Sequence, residues 1–144
     1  MKRILVIEDG TEYEEFARLF LAGAFELEAA HSLIEALTAI DEAPVDGFLV
    51  DLRFDRARED TLEGDVETTA TRLFAGDRAE AVRYLKDNQG VLILAALRQA
   101  GHRQRAVFVH DFPKKRLDNL RHLYGEVSAA PSFDAGIIRR LFDA

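Results

Sequence analysis

The chain has 144 residues, 48% of them apolar, which suits one domain with a single sizeable core and excludes disorder on the scale of the whole protein. It has no cysteine, so disulfides, thiolate zinc sites and cysteine nucleophiles are excluded. A formal net charge of −7 argues against a dedicated nucleic-acid binder, which needs a basic face to displace counterions from phosphates; the candidate basic stretches are PKKRLDNLRHLYG and IIRR.

The N-terminal MKRILVIEDG is a short apolar run closed by two acids, unlike a signal peptide and too short for a membrane span, so a cytoplasmic location is expected. Within it, Arg3–Asp9 reads as a fully buried parallel strand. TEYEEFARLFLAG then switches to helical spacing, with Phe16, Leu19 and Phe20 on one face and Gly23 beyond the end. FELEAAH alternates like a short strand. Ser32 is placed to cap the helix LIEALTAID, with Glu35 at the capping-box position. DGFLVDL is a second buried strand, GVLILAALRQAG an apolar helix closed by Gly101, and RAVFVHDF a third buried strand. Pro113 suits the first turn of the helix KKRLDNLRHLYG, and EVSAAP and FDAGIIRRLFDA give a last strand and helix. Alternating β and α five times over predicts a parallel sheet with helices on both faces, and sites in such sheets form at the carboxyl ends of strands. Those ends carry Glu8 and Asp9, Asp51, His110 and Asp111, and Ala130. Several carboxylates converging there repel each other, and a hard cation such as Mg²⁺ relieves that repulsion.

With the acid pair Glu8–Asp9 after the first strand, Asp51 after the third, the run GVLILAALRQAGHRQRAVFV and the close APSFDAGIIRRLF, the chain resembles a bacterial two-component response-regulator receiver domain. The resemblance covers nearly the whole chain except roughly residues 55–89. It implies a flavodoxin-like (βα)5 three-layer α/β sandwich, with a five-stranded parallel sheet in the order 2-1-3-4-5. It also implies Mg²⁺ held by Glu8, Asp9, Asp51 and the backbone carbonyl of Arg53, with Asp51 as phosphoacceptor for a histidine kinase or phosphotransfer protein. A carboxylate attacking phosphorus in line, with a metal neutralising charge on the transferred oxygens, is sound chemistry.

Three parts of the family's switch are different here. His110 stands at the Ser/Thr position, Ala130 at the lysine position before the retained Pro131, and Val127 at the aromatic position. His110 has two readings: a polar residue closing a strand, or a cation beside Asp51 whose pKa an adjacent carboxylate raises. Lys114 and Lys115 are alternative sources of that charge.

Where a receiver has a short loop before the glycine opening its third helix, here Gly90, this chain has about thirty extra residues. Nine acids lie between Asp55 and Asp87. Val66, Ala70, Leu73 and then Ala81, Tyr84, Leu85 recur at helical spacing, with Asp77 as a cap, so a helical insertion over 55–89 is expected inside a single domain spanning 1–144. Asp55, Glu59, Asp60, Glu63 and Asp65 are either a solvated acidic loop or contribute one or two ligands to a metal site. Acids beside Asp51 would also repel an anionic phosphoryl donor.

The expected function is that of a stand-alone, atypical receiver-like signalling module. It acts through a downstream protein partner and not as an enzyme, with Asp51 and Mg²⁺ as the phosphorylation site if that chemistry is kept. The resemblance places an output face at Lys115, Arg116, Arg121, Arg139 and Arg140, with Phe133 and Leu141 as apolar anchors. A phosphorylation-independent interaction domain is the alternative. An Mg²⁺-dependent phosphatase or phosphotransferase lacks its general acid, since Arg53 and not Asp stands two residues after Asp51. The sequence leaves the oligomeric state open.

Overall fold

The computed structural model describes residues 1–143. In chain order the elements are β1 (Lys2–Ile7), α1 (Glu12–Phe20), β2 (Phe25–Ala30), α2 (Leu33–Glu42) and β3 (Gly47–Val50). After β3 come a short 3₁₀ turn (Glu59–Thr61), α3 (Val66–Leu73), α4 (Arg78–Asp87) and α5 (Gln89–Gln99). The chain closes with β4 (Arg105–Val109), α6 (Lys114–Tyr124), β5 (Val127–Ala130) and α7 (Ala135–Asp143). The strands form one parallel sheet in the order β2-β1-β3-β4-β5, as expected.

The central strands are apolar without alternation because both faces are covered. Leu5, Ile7, Phe48, Val50 and Phe108 pack with α2, α5 and α6 on one side. Ile4, Val6, Leu49 and Val107 pack with α1 and α7 on the other. Register brings Ile7 beside Val50, Val50 beside Phe108 and Val109 beside Ala130, so the residues that follow emerge together at one edge. Among the described residues no helix is long and apolar enough to cross a membrane.

Helix α1 buries a different stripe from the one its large apolar residues suggest. Tyr13, Ala17 and Leu21, spaced i, i+4, i+8, face the sheet, while Leu19 and Phe20 are 76% and 64% exposed. Tyr13 wins because its ring fills the core while its hydroxyl reaches the Val109 carbonyl at 3.1 Å. Ser32 caps α2 as expected, accepting from the Glu35 amide at 3.2 Å.

The insertion is helical. Asp65 and Asp77 cap α3 and α4, accepting from the amides of Thr68 and Glu80 at 3.2 Å each. Ala70, Ala81 and Leu85 are buried, while Leu73 and Tyr84, counted as core by spacing, lie at the surface. Only Asn88 separates α4 from α5. The Gly90 amide donates to the Leu52 carbonyl at 3.0 Å, and a Cβ at Gly90 would lie 2.2 Å from the Asp51 carbonyl oxygen. Glycine at this position lets α5 start directly against the end of β3.

Candidate functional site at the carboxyl edge of the sheet

The acid pair follows β1. Glu8 is buried, and its carboxylate is turned toward α1: one oxygen accepts from the Tyr13 amide at 3.0 Å, the other from the Glu14 amide at 2.8 Å. Thr11, the residue at the cap position, makes no side-chain cap, so Glu8 satisfies the first amides of α1 in its place. Burial raises the Glu8 pKa, and the two amides oppose that rise. Glu8 also holds its neighbour strand, since its carbonyl is 3.0 Å from His31 Nδ1.

The Asp9 side chain is almost fully buried and is held by Arg56. Its Oδ2 accepts from the Arg56 amide at 2.7 Å, and its Oδ1 lies 3.8 Å from the Arg56 guanidinium. The same guanidinium binds Glu12 at 2.8 Å, which pulls the Glu12 pKa down to about 2. A Cβ at Gly10 would fall 2.1 Å from an Arg56 nitrogen, so the absence of a side chain there makes room for the cation.

Asp51 follows β3, its amide donating to the Ile7 carbonyl at 2.9 Å. Its Oδ1 takes a long, 3.4 Å contact from the Arg53 amide, and it has no ion-pair partner among the described residues. Burial and the negative charges of Asp9 and Glu8 push its pKa up to about 6, against the pull of the Arg53 amide and the Tyr13 hydroxyl. Burial first, then the Asp51 charge, push the Tyr13 phenol pKa up in turn. Tyr13 is thus a site residue that the sequence reading passed over, although its i, i+4 relation to Ala17 was available as a signal.

His110 closes β4, its amide bonded to the Ala130 carbonyl at 2.9 Å and its ring packed edge-on against Phe112 at 4.6 Å. Burial, then the nearby charges of Arg53 and Arg116, lower its pKa, whereas a substitute for the missing lysine needs a raised one. Lys114 pairs with Asp118 at 3.2 Å and stays on its own helix. Ala130 and Val127 are both buried, Val127 at the start of β5, remote from the edge that carries Asp51. Arg116 lies over the Phe112 ring at 5.2 Å and reaches Asn88 at 2.9 Å.

The insertion's acids do not join the carboxylate edge. Glu59 and Glu67 pair with Arg78, Asp60 pairs with Arg58, and Asp65 caps its helix. The Glu63 backbone is held by Gln89 at 2.6 and 3.2 Å. Asp55 lines a separate cavity of about 500 Å³ together with Arg53, Arg83, Lys86 and Asp87. Of the expected output residues, Lys115, Arg139 and Arg140 are exposed on α6 and α7, and Arg121 donates to the Val127 carbonyl at 2.9 Å. Phe133 packs instead toward α1, 4.8 Å from Tyr13 and 4.7 Å from Phe16.

The receiver-like residues do not fit a divalent cation in this arrangement. Among the described residues no three His, Asp or Glu side chains converge to hold a metal ion. Both Glu8 oxygens are committed to α1, Asp9 is bonded to the Arg56 backbone, and a guanidinium fills the space above Gly10.

No protein-family model matches the chain, and no curated protein sequence matches it. Solved structures do. The receiver domain of Francisella response regulator 1452 superposes with a TM-score of 0.60 at 16% identity, covering 99% of this chain and 98% of that one. The Vibrio cholerae chemotaxis protein CheY4 gives 0.62 at 13% identity, over 99% and 97% of the two chains. A sensor protein from Polaromonas gives 0.63 at 18%, over 99% and 93%. The strand order, the full-length coverage and these neighbours together establish that the chain has the fold of a response-regulator receiver domain.

Proposed function

We propose that this chain is a receiver-fold signalling module that works through contacts with other proteins and does not use Mg²⁺-dependent aspartyl phosphorylation as its switch. The observation that carries this reading is the engagement of the acid pair: Glu8 caps α1 and Asp9 holds Arg56, so neither is free for a metal. The departures at His110, Ala130 and Val127 agree with it, since none supplies a hydroxyl, a lysine or an aromatic switch. A cytoplasmic location fits such a module. The exposed cations of α6 and α7, and the aromatic surface of Phe16, Phe20 and Phe133, are the faces on which a partner would sit.

One observation favours phosphoacceptance by a histidine kinase or phosphotransfer protein. Asp51 follows the central strand, with a carboxylate that no cation pairs among the described residues. Intact mass after incubation with acetyl phosphate and Mg²⁺, with Asp51→Asn as control, separates the two readings. The proposal expects no adduct on the unaltered chain. An adduct that disappears in the control would overturn it in favour of the second reading.

A further inference from the structure

We infer that the Arg56 guanidinium is the resident cation of this site, a tethered replacement for the divalent ion that the receiver fold otherwise suggests. Three independent contacts fix it there. The Arg56 amide donates to Asp9 Oδ2 at 2.7 Å, which anchors the loop after β3 onto the acid pair. The guanidinium then lies 3.8 Å from Asp9 Oδ1 and 2.8 Å from Glu12, bridging the end of β1 to the first turn of α1. Gly10 supplies the space, because any side chain there would overlap the guanidinium at 2.1 Å.

The electrostatics agree with that geometry. Glu8, Asp9 and Asp51 follow neighbouring strands at one edge of the sheet, near enough for the charges of Asp9 and Glu8 to raise the Asp51 pKa, and negative charges so placed favour a nearby cation. In this chain Glu8 is served by backbone amides and Asp9 by Arg56, while Asp51 keeps the unrelieved repulsion. A cation carried on the chain has a fixed local concentration and a fixed charge. A divalent ion arriving from solution must first displace it from Asp9 and then meet its repulsion. The Arg56 guanidinium therefore adds a charge barrier to Mg²⁺ beyond the backbone bonds that already engage Glu8 and Asp9.

Two substitutions open it by different routes. Arg56→Ala removes the charge. Gly10→Ala keeps the arginine but fills the space beneath it, and since the clashes are with the far ends of two flexible side chains, the guanidinium and the Glu12 carboxylate move and the backbone does not. Titration with MgCl₂ at constant ionic strength, followed by calorimetry and by thermal melting, reads the result with no phosphoryl donor present. The unaltered chain should show no saturable binding. Arg56→Ala should bind Mg²⁺ at least about tenfold more tightly and gain melting temperature with it, Gly10→Ala should lie between, and adding Asp51→Asn to Arg56→Ala should abolish the gain. Equal Mg²⁺ binding by the unaltered chain and Arg56→Ala would overturn the inference, as would the absence of binding in both variants. Because the readout is the metal itself, this outcome is separate from the presence or absence of a phosphate adduct.

Discussion

Replacing Asp51 by asparagine should make the protein more stable at neutral pH, an unusual expectation for a residue at the centre of a functional edge. The Asp51 carboxyl is held at about 6 in the fold against an ordinary value of 3.8, mainly by burial and then by Asp9 and Glu8. A folded pKa above the unfolded one means that ionisation opposes folding. The penalty is absent below about pH 4, develops between about pH 4 and 6, and is complete above that range. Its ceiling is about 3 kcal/mol, and partial solvent access reduces this to about 1–2 kcal/mol. Asparagine keeps the shape and can still accept from the Arg53 amide but carries no charge. Asp51→Asn should therefore melt roughly 3–6 °C higher at pH 7.5. The increment should shrink toward zero by about pH 4. Thermal melts of both proteins at several pH values, in low salt, check this directly. A destabilised variant, or a gain independent of pH, would refute the electrostatic account of the site.

Three further outcomes follow from the packing. Gly90→Ala puts a methyl group 2.2 Å from the Asp51 carbonyl oxygen, and since both are backbone-fixed it should lose about 2–4 kcal/mol in urea unfolding. Arg98, a buried residue of α5, donates to the carbonyls of His102, Gln104, Tyr124 and Glu126, and Arg98→Met should cost about 3–5 kcal/mol by removing these bonds, measured in the same way. Tyr13→Phe keeps the ring but removes the bond to Val109, so it should cost about 1 kcal/mol. Urea unfolding reads that loss.

The fold was legible because both of its signals are local. Uninterrupted apolar runs such as ILVI and FLV mark strands covered on two faces, and the caps at Ser32 and Asp77 mark helix starts. Glu8, Asp9 and Asp51 were legible as site positions for the same reason: Glu8 and Asp51 are the first polar residues after buried runs, and Asp9 directly follows Glu8. What those carboxylates bind was not legible, because it depends on partners distant in sequence. Asp9 meets Arg56 across 47 positions, and nothing in RFDRARED distinguishes that arginine from Arg53 or Arg58. Likewise the insertion reads as acidic in one dimension, but folding pairs Glu59 and Glu67 with a single arginine, Arg78, and sets Asp55 and Asp87 among Arg53, Arg83 and Lys86 around a shared cavity. The exposed Leu19 and Phe20 misled in the opposite direction, since hydrophobicity alone does not say which stripe of a short helix turns inward.

The insertion leaves the sheet after Leu52 and returns at Gly90, and those two residues are themselves hydrogen-bonded at 3.0 Å. An excursion whose ends already touch places almost no constraint on what lies between them, because added length there costs only a slowly growing loop entropy. Between α3 and α4 lies the turn from Ala75 to Gly76, where the backbone takes positive φ and a Cβ at Gly76 would meet nothing among the described residues within 4 Å. That turn is a natural port in the architecture: a tag, a fluorescent reporter or a second domain spliced between α3 and α4 would ride on the helical hairpin while β3, α5 and the carboxylate edge keep their places.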